Sequence, residues 1–511
     1  MLWLKVLWQS KMLQINVALP SGKRKRLEIA ESSKVGDLKI LAQQSFGQGS
    51  LRLVTSEGKI LVDNLESLQN AGLQNGDHVT AVVRPALKLA ATERAFALWY
   101  SGANKIITWG DPDSGGDSSR VQDLFKNVQG VRAAKSAFAA LLADGSVITW
   151  GKAIAGGDSS AVQGQLKKVQ QLQATESAFA AIVEGGSVVA WGCQDAGGDS
   201  FAFQDELQNV QQLQATASAF AAIRADGSVF AWGDPLQGGD SSEVEDKLQN
   251  VQQVQASAGA FAAILADGSV VAWGNDYEGG DSSGVQDQLQ NVQQIQASEG
   301  SFAAILADGS VVLWGNLCIY SLVPRVPDFS EQLRMLRNVR EVQATICAFA
   351  AILEDGSVVC CGPSQDGGNC SAVQDQLQNV QQVQATLQTT EEVLGSAFAA
   401  ILGDGSVVSW GHPECGGNST AVQDQLRNVQ QLQATAGAFA AILADGSVVS
   451  WGHSGFGGDS SAVKDRLKGV QQVHASARAF TAISTDGSVV SWSNEESGGD
   501  NSTVQDLIAA L

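Results

Sequence analysis

From residue 87 onward, the polar and apolar positions of this chain return on a fixed beat. A representative stretch, Val429 to Gly452, opens with Val429-Gln430-Gln431-Leu432-Gln433, which reads as a strand. Ala438 to Leu443 and Ser447 to Trp451 carry apolar residues on both faces, so these strands are expected to be buried on two sides, between neighbouring sheets. Asp445-Gly446 between them predicts a tight hairpin, because glycine supplies the positive φ such turns need. Each hairpin is followed by Gly-Gly-Asp-Ser-Ser or a close variant, as at Gly116-Asp117, Gly157-Asp158, Gly239-Asp240, Gly280-Asp281 and Gly458-Asp459. We read this as turn geometry with a capping side chain. Val463 to Leu467 then predicts one helical turn capped by Asp459 or Ser460, with a short outer strand as the alternative.

A tryptophan closes each unit. Trp109, Trp150, Trp191, Trp232, Trp273 and Trp314 are spaced by 41 residues, and Trp410, Trp451 and Trp492 resume the series. Cys361-Gly362 fills the slot between Trp314 and Trp410. Each tryptophan is expected as a core residue between units. A period of this size marks one supersecondary unit copied many times. Ten hairpin slots can be counted, the first being the degenerate Asn104-Lys105. The first slot lacks the Gly-Gly-Asp half on its N-terminal side, whereas Gly498-Gly499-Asp500 to Leu507 stands unused at the end. A tail that supplies what the head lacks predicts a closed β-propeller, which hides its edges; an open β solenoid is the alternative. Longer steps place insertions at Leu317 to Arg340 and near Gln388 to Gly395, read as surface loops.

The pattern before residue 87 is different. Leu13 to Val17 alternates like a strand, Pro20-Ser21-Gly22 turns, and Arg26 to Ile29 alternates again. Ser32-Ser33 is expected to cap a helix through Val35, Leu38, Leu41 and Ala42 that stops at Gly47. Short strands follow at Arg52 to Val54, Lys59 to Leu61 and Val79 to Val83. The domain reading is a 1–11 extension, a 12–85 α+β module and an 87–511 repeat array. The extension is interrupted by Lys5 and is too short to cross a bilayer.

The strand and helix order of residues 12–85, with Leu68 to Leu73 reading Leu-Gln-Asn-Ala-Gly-Leu and Gly76-Asp77 before the last strand, resembles ubiquitin. The resemblance implies a β-grasp fold with Val54 and Val82 in the apolar patch that ubiquitin receptors grip. Arg84-Pro85-Ala86 stands where ubiquitin's conjugated form ends in Arg-Gly-Gly, so a built-in, non-conjugated module is expected. The segment ending Asp-Gly-Ser-Val-Val-x-Trp-Gly is similar to repeats of the regulator of chromosome condensation (RCC) family. That family forms β-propellers, among them a GTPase exchange factor, substrate-binding parts of ubiquitin ligases and a plant ultraviolet receptor. Two departures stand out: family repeats number about seven, and many carry a Gly-x-x-His-Thr stretch where this chain has Gly437-Ala438-Phe439-Ala440.

Charge and chemistry narrow the reading. The net charge is −21; residues 1–85 hold 11 Lys and Arg against 7 Asp and Glu, so the remainder carries −25. An acidic array does not suit a phosphate-backbone ligand, and no nucleic acid is expected. The basic run Lys23-Arg24-Lys25-Arg26 is read as a solvated turn, with nuclear import or an acidic partner as the alternative. No stretch reaches the length of a membrane span. Seven cysteines without C-x-x-C pairs point to reduced thiols in the cytoplasm or nucleus.

His78, His412, His453 and His474 accompany no recognisable nucleophile motif, so no catalytic residues are assigned. One aspartate per repeat does not make a calcium site, and no metal or cofactor is expected. The chain is therefore read as a non-enzymatic adaptor: its ubiquitin-like module docks to a ubiquitin receptor, ligase or proteasome component, and its repeats hold a client protein. The alternatives are a GTPase exchange factor, with Val323-Pro324-Arg325 as its wedge, or a substrate-recognition part of a ubiquitin ligase. Near-identical repeats are expected to offer the same surface at every copy, apart from the insertions.

Overall fold

The computed structural model describes residues 11–46, 51–61, 66–83, 86–316, 336–386 and 395–510. Val323, Pro324 and Arg325, the Arg84-Pro85 junction, most of both insertions and residues 1–10 lie outside the described residues.

The first sheet is formed by β1 (Met12–Ala18), β2 (Arg24–Ala30), β3 (Leu51–Thr55), β4 (Ile60–Leu61) and β5 (His78–Val83) in the order β2-β1-β5-β3-β4. β1 runs parallel to β5 and all other pairs are antiparallel, which is the ubiquitin-like β-grasp. Leu13, Ile15, Val17, Leu53 and Ala81 point inward and pack with Val35, Leu38 and Ala42 of α1 (Val35–Phe46). The helix start differs from expectation: the Asp37 carboxylate, one turn in, accepts the Lys34 backbone N–H at 2.8 Å. Arg24, Lys25 and Arg26 lie within β2, paired with β1, and not in the turn, although their side chains are exposed.

The remaining residues form ten three-stranded antiparallel blades. Their middle strands, blades 1 to 10, are Ala95–Tyr100, Ala137–Leu142, Ala178–Ile182, Ala219–Arg224, Ala260–Leu265, Ser301–Leu306, Phe349–Leu353, Ala397–Leu402, Ala438–Leu443 and Ala479–Ser484. These strands are buried along nearly their whole length, as their unbroken apolar sequence requires. From blade 1 through blade 10 the first strand of each blade packs on the first strand of the one after it, so these strands line the axis. In the hairpins Gly446 takes φ +76° and Gly268 φ +79°, as the Asp-Gly pairs predicted.

Each tryptophan is stacked on its own blade's middle-strand phenylalanine, as Trp451 on Phe439 with centroids 5.3 Å apart. Its indole N–H reaches back to the previous blade. Trp150 donates to the Gly115 carbonyl, Trp191 to Gly156, Trp232 to Gly197 and Trp451 to Gly416, all within 2.9–3.0 Å. Trp273, Trp314, Trp410 and Trp492 repeat the bond to Gly238, Gly279, Gly367 and Gly457. The same bond closes the circle: Trp109 of blade 1 donates to the Gly498 carbonyl at 3.2 Å. Beyond it, Ile508 of the last helix, α2 (Gln505–Ala510), packs against Phe96, Leu98 and Ile107 of blade 1. The repeats form a closed ring, and the open solenoid is excluded.

The capping expectation holds with one change. Asp459 accepts the Ser461 N–H at 2.8 Å, but the segment that follows is a 3-10 turn, Ser461–Val463. The reading of the cysteines as reduced thiols is corrected at one pair: Cys360 and Cys370 are joined in a disulfide, while Cys193, Cys361 and Cys415 among the described residues keep free thiols. The physical reason lies in the repeat. The equivalent positions in blades 1 and 2 are Thr108 with Ser118 and Thr149 with Ser159, whose hydroxyls hydrogen-bond at 2.9 and 3.0 Å. In blade 7 two thiols occupy that contact slot.

Candidate interaction surfaces

Three surfaces were built by these elements, and the sequence anticipated part of one. On the β-grasp sheet, period-two alternation turns Arg52, Val54, His78, Thr80 and Val82 away from the core. Val54 lies opposite Thr80 and Val82 opposite Arg52, so the two valines are diagonal neighbours across the β3–β5 ladder. Ile60 faces Val54 from β4 and is exposed. Sequence reading missed Ile60, whose signal was an apolar residue pairing with an outward-facing one.

The second surface follows from blade topology. The turn between first and second strands and the loop leaving the third strand lie at one end of each blade; the Asp-Gly hairpin lies at the other. On the hairpin face most copies are alike: Asp226, Asp267, Asp355, Asp404 and Asp445 each accept the N–H of a serine two residues on, the exceptions being blade 1, which has no Asp-Gly pair there, and blade 3, with Glu184-Gly185-Gly186. On the opposite face the four residues between Trp-Gly and Gly-Gly differ in every repeat. They read Asp-Pro-Asp-Ser (111–114), Lys-Ala-Ile-Ala (152–155), Cys-Gln-Asp-Ala (193–196), Asp-Pro-Leu-Gln (234–237) and Asn-Asp-Tyr-Glu (275–278). Later copies read Pro-Ser-Gln-Asp (363–366), His-Pro-Glu-Cys (412–415), His-Ser-Gly-Phe (453–456) and Asn-Glu-Glu-Ser (494–497). The expectation of one surface repeated in every copy is thereby overturned for this face.

Backbone bonds to the framework hold these loops whatever their sequence, and in some copies the first side chain adds one, as Asp234 does by accepting the Leu236 N–H at 2.9 Å. In blade 4 the Asp234 N–H donates to the Ser218 carbonyl at 3.0 Å, and the Gly239 N–H donates to the Asp234 carbonyl at 2.8 Å. The Thr216 hydroxyl donates to the Gln237 carbonyl at 3.0 Å, a bond repeated by Thr92, Thr175, Ser257, Thr345 and Thr435 in their own blades. Variable side chains on loops held by a rigid scaffold are the usual construction of a binding face.

Inside the circle of loops, backbone bonds pass from blade to blade: the Glu93 N–H to the Lys135 carbonyl, Lys135 to Glu176, Glu176 to Ala217, Ala217 to Ala258 and Ala258 to Glu299, within 2.8–3.1 Å. The turns surround a third surface, an axial cavity of about 1040 Å³. Burial pushes the Glu299 carboxyl up to about 7, with the Glu278 and Glu176 carboxylates adding to the rise and Lys135 opposing it. Folding therefore favours the protonated form. That contribution is intact at pH 4 and is lost as the pH rises towards and through 7. Glu299→Gln is expected to raise the melting temperature relative to the parent at pH 8 and to leave it unchanged at pH 4. Scanning calorimetry at both values checks this, and equal differences at the two would remove the assigned cause.

The histidines fall apart from one another. His78 is exposed on β5, His453 accepts the Gly455 N–H at 3.1 Å, and His474 stands in a row of axial glutamines where burial lowers its pKa. His412 meets a thiol, with its Nδ1 3.6 Å from the Cys415 sulfur. Cys415, however, donates to the Gly395 carbonyl, and burial pushes it up to about 12, opposite to what a nucleophilic thiolate needs. Among the described residues no group of three or more His, Cys, Asp or Glu side chains is placed to hold a metal ion. No helix among them is long and apolar enough to cross a membrane.

Neither a family model nor a curated protein matches the chain. Solved structures do. Prp20p from Saccharomyces cerevisiae, described with its binding to Gsp1p and histones, aligns at 18% identity over 55% of this chain and 83% of its own, with a TM-score of 0.32. The CRINKLY ectodomain of the Arabidopsis thaliana receptor kinase ACR4 aligns at 16% identity over 54% of this chain and 96% of its own, TM-score 0.30. The ubiquitin of Caldiarchaeum subterraneum aligns at 21% identity over 15% of this chain and 98% of its own, TM-score 0.14. By its own strand order and blade construction, the chain joins a ubiquitin-like β-grasp module to a closed β-propeller of ten three-stranded blades.

Proposed function

We propose that this protein is a non-enzymatic adaptor of the cytoplasm or nucleus. Its ring holds a client protein on the variable face, and its β-grasp module docks to a ubiquitin receptor, ligase or proteasome component. One observation carries the reading: sequence variation among near-identical repeats is gathered at one end of the blades, on loops whose backbones are fixed from both sides. Hairpins at the other end keep Asp-Gly-Ser in every blade but the first and third. The diagonal pair Val54 and Val82, extended by Ile60, supplies the second docking site.

Two measurements on the full chain test the two halves. Crosslinking mass spectrometry in native extract is expected to place client contacts on residues 111–114, 152–155, 193–196, 234–237 and 275–278; contacts confined to the Asp-Gly hairpins would end the client reading. For the module, a peptide helix that binds the apolar patch of ubiquitin is titrated by calorimetry. Val54→Ala with Ile60→Ala and Val82→Ala is expected to weaken it at least tenfold, about 1.4 kcal/mol, as loss of apolar anchors does. Absent binding, or binding indifferent to the substitutions, would remove the ubiquitin-pathway half and leave the ring's role standing.

A further inference from the structure

The variable face is not evenly furnished. On it Ile154 of blade 2, Leu236 of blade 4 and Tyr277 of blade 5 are 67%, 77% and 74% exposed; on blade 3 Phe201, 86% exposed, stands just past the Gly-Gly turn, next to Ser200, which accepts the Ala190 N–H of the third strand. Ile154, Leu236 and Tyr277 occupy the same place in their loops, the third residue after Trp-Gly. The corresponding residues in the other described loops are polar or glycine: Asp113, Asp195, Gln365, Glu414, Gly455 and Glu496.

Phe201 is the more telling. Its register holds Ser119, Ser160, Ser242, Ser283, Ser371, Thr420, Ser461 and Ser502 in the other described blades. The turn does not need the ring, because its backbone N–H donates to Asp199 at 2.9 Å just as the Ser160 N–H donates to Asp158. A large apolar side chain that folding does not require, left almost wholly in water, has a cost in solubility that a partner would offset.

The setting of Phe201, Leu236 and Tyr277 is acidic. Residues 193–206, 234–247 and 275–288 together contain thirteen Asp and Glu and a single base, Lys247. The turn aspartates among them stay ionised: bonds to Ser242 and Ser283 hold Asp240 and Asp281 below the usual carboxylate range. By contrast residues 453–466 of blade 9 balance Asp459 and Asp465 with Lys464 and Arg466. The arc of blades 3 to 5 thus offers three apolar anchors on consecutive blades within a field of one sign, and Ile154 extends the row onto blade 2, whose loop balances Lys152 with Asp158.

We infer that this arc binds an extended, basic polypeptide segment in which large apolar residues alternate with Lys or Arg. The anchors would seat on Phe201, Leu236 and Tyr277 with Ile154 at one end, while the charges meet the surrounding carboxylates. The inference rests on the adaptor reading and narrows it to one sector and one chemistry.

The test uses the full chain and three labelled fourteen-residue peptides followed by fluorescence anisotropy: alternating Lys and Leu, alternating Lys and Ser, and alternating Glu and Leu. Only the Lys–Leu peptide is expected to bind, more weakly as salt is raised. Phe201→Ser with Leu236→Ser and Tyr277→Ser is expected to cut its affinity at least tenfold. Phe201→Ser installs the residue the other repeats already carry, and that single variant, expected to lose about threefold, guards against loss of folding in the triple. Equal binding of the Lys–Ser peptide, equal affinity of the parent and the variants, or no binding of the Lys–Leu peptide would each overturn the inference. If native client contacts then fall on variable loops outside blades 2 to 5, the adaptor reading survives and only this sector assignment fails.

Discussion

Removing Gly498–Leu511 is expected to destroy the single cooperative melt of the ring. The truncation takes away the Gly498 carbonyl that accepts the Trp109 indole, and a buried donor left without a partner costs roughly 1–3 kcal/mol. It also removes Ile508, whose side chain is buried against Phe96, Leu98 and Ile107, a loss of about 2–4 kcal/mol. The side-chain bonds from Asn501 and Gln505 to the Val489 carbonyl go with it. The sum is on the order of 5 kcal/mol, comparable to the whole stability of an ordinary domain. Blades 1 and 10 would then fray ahead of the rest, which calorimetry reads as an early, broadened transition. A truncated protein that melts as sharply and as late as the parent would show that closure adds nothing.

A single methyl group should do comparable damage at the second glycine of the Gly-Gly pair. A Cβ on Gly239 would lie 2.6 Å from the carbonyl carbon and oxygen of Gly233 and 2.7 Å from the Asp234 oxygen. All three are backbone atoms of the loop that must turn there, so no rotamer change relieves the clash. Gly239→Ala is expected to cost about 3 kcal/mol or more, at the upper end of overpacking penalties. Gly284→Ala provides the control. Nothing lies within 4 Å of the Cβ it would add, so its unfolding midpoint in urea should stay within about 0.5 kcal/mol of the parent. Equal effects of the two substitutions would mean that the loop has room to move, and that its fixed backbone is not what positions the variable side chains.

These contrasts show what sequence could and could not convey. Period, hairpins and closure were legible because each is written in local chemistry: the Asp-Gly pairs, the two-sided apolar strands and the orphan Gly498-Gly499-Asp500 segment. The Cys360–Cys370 bond was not legible from spacing alone, because its partners meet only when the segment after the Gly-Gly turn folds back on the third strand. Aligning repeats would have found it, since Thr108 and Ser118 hold the same two places. The variable face was hidden for a related reason. Comparing consensus units averages away the four residues between Trp-Gly and Gly-Gly, and only the antiparallel order of three strands brings them to one rim. The edge role of Ile60 needed the β3–β4 register, which a two-residue strand does not announce.

Cys361 stands in the tryptophan slot of blade 7, buried and without an indole to reach back towards blade 6. Nine joints of the hoop are latched by a directional bond; among the described residues this tenth adheres through packing, with Ile305, Val311 and Leu313 meeting Val342 and Phe349. Lacking the directional bond, that joint is expected to be where the hoop opens first, and amide exchange at Val342 and Phe349 faster than at their counterparts in the latched blades would show it.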